Sequence, residues 1–344
     1  MKILIACNRT SSNPFVRTLA DSLRELGVDV TCSLDEFWHS WDKYDVIHLQ
    51  WPHLLVKGLE TITPLKEHLQ TIKSSGKTMV VTCHNLHPHY SQKMVADESY
   101  DLVYNMVDCI IHMGDYSFNL CKKKYPHAKH VIIPHHVYDA LYKSIPSRED
   151  AMKHLYLNPK RRYVLCFGAF RHNDEREIAV KASRILGNIN GKVLAPGFSK
   201  YRLQKNILRT IEEYIKNLTY RFKYKNLIIS KGFVPDEDLP YYYAASDIAL
   251  IHRREILNSG NLPMAFYMGK VVIGPNVGNV GAILNETGNP TFDINNIESI
   301  EDCIKKALIL NKNGKGEENR KYAIKYYSSN IVAEQYKKLY KKLM

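Results

Sequence analysis

Short apolar runs alternate with longer segments of helical periodicity along most of this chain, and that alternation constrains its fold more than any other feature. Residues 3–6 are apolar, and apolar residues recur at helical spacing across 14–26 before Gly27 ends the segment. Strands separated by helices are typical of βαβ units, which build parallel sheets. The pattern predicts strands in the first part of the chain at residues 3–6, 28–31, 46–49, 78–82, 109–112 and 131–133.

The pattern restarts after a polar stretch at residues 145–160 that contains two prolines. At roughly 100–200 residues per domain, a chain of 344 residues suits two domains. We therefore expect an α/β fold with domains at 1–150 and 151–325, and a C-terminal helix at 326–344 that crosses back to the first domain. The predicted elements of the second domain are strands at 163–167, 193–194, 227–229, 248–251 and 271–273 and helices near 175–186 and 240–245.

The composition is that of a basic globular protein. Hydrophobic residues make up 45% and charged residues 24%, which excludes a disordered or fibrous chain. The 48 lysine and arginine residues exceed the 35 acidic ones and give a net charge of +13, which favours an acidic partner: nucleic acid, an anionic membrane or a phosphorylated ligand.

The same sequence carries signals of location. Seven cysteines without a CxxC spacing indicate reduced thiols in a reducing compartment. No signal peptide is recognisable at the start of this sequence, and no apolar run approaches the roughly 18 residues of a membrane span. We expect a cytoplasmic protein, with peripheral attachment to the inner face of a membrane left open.

Binding sites in open parallel sheets lie beyond the carboxyl ends of the strands, so the residues after each predicted strand are the first candidates. Asn8 and Asn13 follow the first strand, in a polar loop that suits an anion, or in which Asn13 caps a helix that starts at Pro14. The G-x-G-x-x-G fingerprint of dinucleotide enzymes is absent.

Histidines follow several predicted strands. His84 and His87 lie in the loop at residues 82–89, where an imidazole can act as hydrogen-bond donor or general base, lie in solvent, or ligate a metal. No acidic or cysteine partner has matching spacing, so we predict no metal site. His112, His135 and His136 also follow strands, which places imidazoles at several ends of one sheet.

The second half offers candidates for phosphate binding. Gly168 permits a tight turn and close approach of a ligand, and Arg171 has planar donors that suit phosphate oxygens, with Arg176 nearby. A second group of candidates is a predicted helix start at Asn258, Ser259, Gly260 and Asn261, with Arg253 and Arg254 just before it. The alternative interpretation of this group is a capped helix with surface arginines.

Several of these segments together resemble nucleotide-sugar glycosyltransferases of the GT-B fold. The order and spacing of the motifs carry the resemblance, which spans most of the chain. The matching segments in the second half are YVLCFGAFR at 163–171, GFVPDEDL at 232–239 with YAASD at 243–247, and GKVVIGPNVG at 269–278. In the first half they are DVIHLQ at 45–50, TCHN at 82–85 and VIIPH at 131–135.

The resemblance implies two Rossmann-like domains facing a central cleft, an acceptor-binding one at 1–150 and a donor-binding one at 151–325. It implies transfer of a sugar from a UDP- or GDP-sugar to a hydroxyl of a saccharide or lipid-linked acceptor, in surface polysaccharide assembly, without an obligatory metal. It points to His84 and Arg171 as catalytic residues. The donor site would be Gly168, Arg171, Arg254, Asn258, Ser259, Gly260 and Asn261, and the acceptor side Asn8, Asn13, His48, Asn85 and His112.

The sequence departs from the family at the donor site. Retaining members carry a Glu-x7-Glu pair, and the corresponding positions here are Ile256 and Met264. The sequence is instead similar to polysaccharide-assembly transferases with a Ser-Gly phosphate loop, here Ser259 and Gly260. Many retaining relatives also carry a lysine shortly after the position of Arg171, where this chain has residues 173–175, Asn-Asp-Glu. The stereochemistry of transfer stays open.

Two other functions and one partner remain open from the sequence. A GT-B-fold nucleotide-sugar epimerase would need carboxylate acid–base pairs, and a nucleic-acid-binding protein would need a recognition helix or stacking motif; neither feature is recognisable. The basic segment at residues 200–231 and the lysine-rich C-terminal helix are either solvated faces or contacts for an anionic inner leaflet.

Overall fold

The computed structural model describes residues 1–9, 13–88, 94–142, 144–198, 207–229 and 234–344. The chain divides into two compact units, the first made of residues 1–140 and 325–344 and the second of residues 141–324. The sequence places this division at residue 150. Each unit contains a six-stranded parallel sheet, which confirms the predicted α/β class.

The sheet of the first unit is built from the apolar runs of the sequence. Every residue of the strands from 46 to 49 and from 109 to 112 is buried, as expected for a parallel sheet with helices on both faces. The strands are β1 (Lys2–Ala6), β2 (Asp29–Cys32), β3 (Val46–Leu49), β4 (Thr78–Thr82), β5 (Cys109–His112) and β6 (Lys129–Ile132). The helices are α1 (Pro14–Glu25), α2 (Leu34–His39), α3 (Pro52–Leu55), α4 (Thr63–Ser74), α5 (Met94–Met106) and α6 (Asp115–Lys124).

The strand order of the first sheet is β2-β1-β3-β4-β5-β6. β2 therefore lies on one side of β1, and β3 to β6 follow in order on its other side, so the strand order reverses between β1 and β3. The loops that follow β1 and β3 consequently diverge at the carboxyl edge of the sheet, which is where open α/β sheets bind their ligands.

The C-terminal helix α15 (Ser329–Leu343) packs on the first unit, where Tyr336 and Tyr340 join the core that α1 also lines. The helix is held in place by hydrogen bonding to His48 of β3, whose ring is fully buried. His48 Nδ1 lies 2.7 Å from the Tyr340 hydroxyl, and its Nε2 lies 2.8 Å from the Thr82 hydroxyl. The helix begins later than the predicted residue 326, because Ser328 stands between α15 and a preceding helix that ends at Tyr327.

The second unit repeats the architecture with its own sheet, and its first strand follows a helix that begins at Arg148. Its strands are β7 (Arg162–Leu165), β8 (Gly191–Ala195), β9 (Leu227–Ile229), β10 (Ile248–Leu250), β11 (Val271–Pro275) and β12 (Thr291–Phe292). Its helices are α7 (Arg148–His154), α8 (Asn173–Gly187), α9 (Ile207–Lys223), α10 (Leu239–Ala245), α11 (Asn261–Tyr267), α12 (Gly278–Glu286) and α13 (Ser299–Lys312), and α14 (Lys315–Tyr327) leads into the first unit.

The strand order of the second sheet, read from one edge, is β9-β8-β7-β10-β11-β12. With β7 as the first strand, this is the 3-2-1-4-5-6 order of a Rossmann sheet. Its direction reverses between β7 and β10, which are hydrogen-bonded neighbours. The order thus confirms a Rossmann-like second domain and locates its crevice.

Most predicted strands lie within two residues of the observed ones. The strand predicted at 131–133 begins earlier, at Lys129, and the two-residue β12 is missing from the prediction because its apolar run is too short. In the described ranges no helix combines the length and the apolar character needed to cross a membrane.

We expect the first unit to lose stability in mild acid. Burial lowers the pKa of His48 to about 3 and that of His136 to about 4. In the unfolded chain the pKa of each histidine is near 6.5. Between pH 6.5 and the lower pKa of the folded state, the unfolded chain therefore binds more protons, and the free energy of unfolding falls as the pH falls. The fall is at most about 1.4 kcal/mol per group per pH unit.

The measurement is urea unfolding at several pH values, followed by tryptophan fluorescence. All three tryptophans, at positions 38, 41 and 51, lie in the first unit, so this signal reports on that unit alone. The variant His48→Asn should flatten the pH dependence, whereas His127→Asn, at an exposed position, should leave it unchanged. An unfolding midpoint independent of pH in the wild type would contradict the prediction.

Candidate functional site

In the second unit, two loops leave the sheet side by side at the reversal of strand order. One follows β7 and contains Gly168 and Arg171, and the other follows β10 and leads to α11. These loops and the first residue of α11 hold all the predicted donor-site residues. The crevice between them is the binding position that the strand order favours.

Glycine lets the loop after β7 pack closely on its neighbours. Gly168 has φ +102°, a conformation that residues with a side chain rarely adopt. A Cβ on Gly197, which follows β8, would lie 2.0 Å from the carbonyl oxygen of Gly168. The Asn261 side chain donates a hydrogen bond to the Phe167 carbonyl at 2.8 Å, so the start of α11 is fastened to this loop.

A buried ion pair between Arg253 and Glu175 joins the two loops. Arg253 also donates to the Ala169 carbonyl at 2.7 Å, and the other Glu175 oxygen accepts the backbone N–H groups of Arg171 and His172. The side chains are only 11% and 5% exposed, so water screens their charges little. The pair therefore sets the position of the backbone that carries Arg171.

Arg171 and Arg253 both lie close enough to His252 for their positive charges to lower its pKa. His252 is buried and stacks on Phe170, with ring centroids 3.8 Å apart. Burial lowers the pKa of His252 well below its usual value, and the positive charges of Arg253 and Arg171 lower it further. The structure thus brings one arginine from each loop to the crevice, with the charge of Arg253 balanced by Glu175.

The loop after β10 is also held in place by hydrogen bonds to residues that follow β11 and β12. The Arg254 guanidinium donates to the Ile294 carbonyl at 2.7 Å, and Asn258 Oδ1 accepts from the Asn279 side chain at 2.7 Å. At Gly278, with φ +61°, a Cβ would lie 2.2 Å from the Ile256 carbonyl oxygen, so only glycine fits there. The Arg254 guanidinium, which was expected to bind phosphate, thus helps to build the loop itself, as does the Asn258 side-chain oxygen.

The predicted helix start is confirmed: Gly260 is the N-cap residue of α11, which begins at Asn261. The Ser259 carbonyl accepts the Leu262 N–H at 3.2 Å. Since α11 has seven residues, its dipole is short, and the arginines rather than the helix supply most of the positive potential.

In the first unit, the carboxyl ends of the strands meet at an aromatic cluster around Phe15. Trp51, the second residue after β3, stacks on His84, the second residue after β4, with ring centroids 4.2 Å apart. Phe15 of α1 contacts the edge or face of Trp51, His84, His135 and His136. The loops after β3, β4 and β6 and the start of α1 therefore meet in one cluster.

His84 is nearly buried in this cluster. Its Nε2 lies 2.8 Å from the Gln50 side-chain oxygen. Burial, followed by the neighbouring His135 and His48, lowers the pKa of His84 well below its usual value. A neutral imidazole of this kind is a weak base, so the geometry favours hydrogen bonding over proton abstraction.

The three predicted asparagines have structural partners in the first unit. Asn13 caps α1 by accepting the Phe15 N–H at 3.0 Å, which confirms the N-cap interpretation. Asn8 is exposed, and its Oδ1 accepts the Leu34 N–H at 3.0 Å. Asn85 is buried, and its carbonyl accepts the Tyr104 hydroxyl at 2.7 Å. Residues 10–12 and His89, which belong to the predicted loops, lie outside the described residues, as do residues 232 and 233 of the family motif.

Two predicted acceptor-side residues are corrected by their burial. His48 has no exposed surface and bonds inward to Tyr340 and Thr82. His112 also has no exposed surface, and its Nε2 lies 2.9 Å from His130 Nδ1. Neither ring reaches the surface, so neither can contact an acceptor in this structure.

Sequence reasoning missed residues that the fold places at these edges. Trp51, Gln50 and Phe15 surround His84, and Glu175 anchors the loop of Arg171. A signal existed for each: Gln50 and Trp51 directly follow a predicted strand, and Glu175 stands at the third position of the helix after Arg171, where a glutamate commonly reaches back to backbone N–H groups.

No family model matches this sequence, and no curated protein matches it. Solved structures do match it over its full length. Sucrose-phosphate synthase from Thermosynechococcus elongatus is 15% identical, with a TM-score of 0.78 over 100% of this chain and 99% of that one. HepE from Anabaena, solved with UDP, is 13% identical, with a TM-score of 0.71 over 99% of this chain and 100% of that one. A Listeria monocytogenes protein assigned as a UDP-N-acetylglucosamine 2-epimerase is 12% identical, with a TM-score of 0.60 over 96% of this chain and 93% of that one.

This chain has the GT-B fold. The GT-B fold accounts for both Rossmann-like units and confirms the fold that the sequence motifs implied. At these identities the likeness establishes the fold, and the chemistry is argued from the site.

Removing Arg253 should destabilise the second unit. Arg253→Met leaves the buried Glu175 carboxylate without its cation, at a cost of about 3 kcal/mol. The double variant Arg253→Met with Glu175→Gln should lose less, because a neutral amide still accepts the Arg171 N–H. Urea unfolding followed by circular dichroism measures both.

The neighbouring Arg254 supplies the matched control. Its guanidinium bonds to a backbone carbonyl, so Arg254→Met should cost only about 1 kcal/mol. Equal losses for the two single arginine variants, or a double variant no more stable than Arg253→Met alone, would refute a coupled pair.

Proposed function

We propose that this chain is a glycosyltransferase that moves a sugar from a nucleoside diphosphate sugar to a hydroxyl acceptor. The observation that carries the proposal is the gathering of Arg171 and Arg253 at the switch point of a Rossmann sheet. In this proposal the second unit binds the donor and the first unit binds the acceptor. Surface polysaccharide assembly is the role that the sequence motifs favour.

On the donor side, Arg171 stabilises the leaving diphosphate. Breaking the bond between sugar and phosphate leaves negative charge on the phosphate oxygens, and a fixed cation near that charge lowers the barrier. Arg253 is committed to Glu175, so it acts mainly as a positioning residue. The Ser259 and Gly260 backbone N–H groups add donors at the start of α11.

On the acceptor side, His84 and Trp51 form a surface for a sugar. The neutral His84 ring offers a hydrogen bond, and Trp51 is half-buried. The lowered pKa of His84 supports a binding role rather than that of general base.

The neighbours support the donor class. HepE was solved with UDP and with UDP-glucose, which makes a UDP-sugar the first candidate donor. A second candidate function is epimerisation of a nucleotide sugar, because a protein assigned to that reaction shares the fold. It is less favoured because Glu175, the buried carboxylate at the crevice, is already engaged with Arg253 and backbone N–H groups.

The deciding experiment combines ligand binding with product analysis. A thermal-shift series with UDP-, GDP- and ADP-sugars should raise the melting temperature with one nucleotide class, because the ligand binds the folded state. Incubation of that donor with candidate saccharide acceptors should then yield a glycoside. Arg171→Ala should lower kcat/KM about 100-fold, the loss expected when one charged donor to the transition state is removed.

Controls separate the alternatives. Arg184→Ala, an exposed arginine of α8, should leave kcat/KM unchanged. His84→Ala should raise the acceptor KM more than it lowers kcat if His84 binds rather than abstracts a proton. An epimer of the donor sugar as sole product would reject the transferase, and wild-type kcat/KM in Arg171→Ala would reject the phosphate role.

We also propose that helix α9 attaches the second unit to an anionic membrane. Six large apolar residues occupy one arc of the helix and are exposed, whereas Tyr220 on another arc packs on the core. The exposed six are Ile207, Leu208, Ile211, Tyr214, Ile215 and Phe222. An apolar stripe with basic residues at its margin, here Arg221 and Lys223, is typical of helices that lie in a membrane interface. The basic segment predicted at 200–231 lies partly outside the described residues.

Vesicle sedimentation tests this attachment. At low salt, the wild type should pellet with vesicles that contain phosphatidylserine and less with pure phosphatidylcholine. Ile211→Glu with Ile215→Glu should abolish pelleting. Ile309→Glu with Ile324→Glu, two exposed apolar residues on other helices, should not affect it. No difference between the two double variants would remove α9 from the contact.

A further inference from the structure

Two thiols and an imidazole meet inside the first unit, away from the residues assigned above to either substrate. Cys83 follows β4, His112 ends β5, and Cys121 lies in α6. The two sulfur atoms and one ring nitrogen of His112 lie within 4.8 Å of one another, and all three side chains are buried. Among the described residues this is the one such group of histidine, cysteine or acidic side chains.

Hydrogen bonds determine which His112 nitrogen is available. His130 Nε2 lies 2.9 Å from the Tyr125 carbonyl, which only accepts, so His130 carries its proton on Nε2. His130 Nδ1 is then an acceptor, and His112 Nε2, 2.9 Å away, donates to it. His112 Nδ1 keeps its lone pair, is buried and makes no hydrogen bond.

This is the arrangement that metal-binding histidines adopt. Such a ring donates its other N–H to a neighbouring acceptor, which orients the ring and sets its tautomer. A buried nitrogen with an unused lone pair is costly unless something occupies it. The two adjacent thiols supply two soft ligands, and a water molecule would take the fourth position of a tetrahedral zinc site.

Charge selects the ion. Two thiolates and a neutral imidazole carry two negative charges, and a divalent cation cancels them, which matters in a buried site. Zn²⁺ takes sulfur ligands at about 2.3 Å and nitrogen at about 2.0 Å, so its ligand atoms lie roughly 3.3–3.8 Å apart. Side-chain shifts of about 1 Å would bring the three atoms to that spacing.

We propose that Cys83, His112 and Cys121 bind one Zn²⁺ ion. Binding converts each thiol to a thiolate and releases its proton, and His112 Nδ1 gives its lone pair without losing a proton. The ion joins the ends of β4 and β5 to α6. The bound ion also stiffens the loop that carries the acceptor-side residues, because Cys83 directly precedes His84.

The first test uses the intact protein in a reducing buffer without thiols. One Zn²⁺ per chain should bind in competition with a chromophoric chelator and should raise the melting temperature. Co²⁺, used as a spectroscopic probe, should give thiolate-to-metal charge-transfer absorption and the visible bands of a tetrahedral site. This binding is measured without any nucleotide sugar, so its failure leaves the proposed transfer reaction untouched.

Variants assign the ligands. Cys121→Ala and Cys83→Ala should each abolish the Co²⁺ thiolate signal, whereas Cys109→Ala, a buried cysteine of β5 outside the cluster, should keep it. His130 is a positioning residue: His130→Leu should weaken Zn²⁺ binding about 10–100-fold. His130→Gln should restore binding, because an amide can accept from His112 and donate to Tyr125.

Circular dichroism and tryptophan fluorescence establish that each variant is folded, and the wild-type measurements stand without them. Absence of Co²⁺ thiolate absorption in the wild type would overturn the proposal. So would unchanged binding in Cys83→Ala and Cys121→Ala together. A loss of two titratable thiols on mild oxidation, with no metal bound in the reduced protein, would identify the pair as a disulfide couple instead.

Discussion

The functional geometry of this chain depends on the point in each sheet where the strand order reverses. In the first sheet the reversal lies between β1 and β3, and in the second between β7 and β10. Side chains in a parallel sheet are buried on both faces, so chemistry is confined to the carboxyl edge. At a reversal, adjacent loops run to opposite faces and leave room for a ligand. Trp51 and Arg171 owe their positions to this constraint.

Opening a crevice there carries a cost, because the loops on its two sides lose the support of adjacent backbone. In the second unit the buried pair of Glu175 and Arg253 offsets that cost, because Arg253 reaches from the loop after β10 and both side chains bond to the backbone of the loop after β7. A buried ion pair adds little net stability compared with apolar packing, but breaking one is expensive. Its effect is therefore to hold one loop conformation, which is what a site for a charged ligand requires.

The parts of the fold that the sequence predicts best are those governed by local pattern. Strands β3, β4 and β5 have the predicted bounds because their apolar runs are flanked by polar residues. The C-terminal helix was recognisable by periodicity. The errors concern the direction in which two side chains face. His48 lies in a strand and His112 at the end of one, and the strand pattern does not show that their rings form hydrogen bonds inside the protein.

Long-range partners lie beyond any local pattern, and the cluster of Cys83, His112 and Cys121 illustrates the physical reason. Its members come from a loop, a strand end and a helix, and no fixed spacing links them in the sequence. What brings them together is the register of β4 with β5 and the packing of α6 on β5. The same argument applies to Glu175 and Arg253, which are adjacent only because β7 pairs with β10. Sites made by strand order therefore become visible only once that order is known.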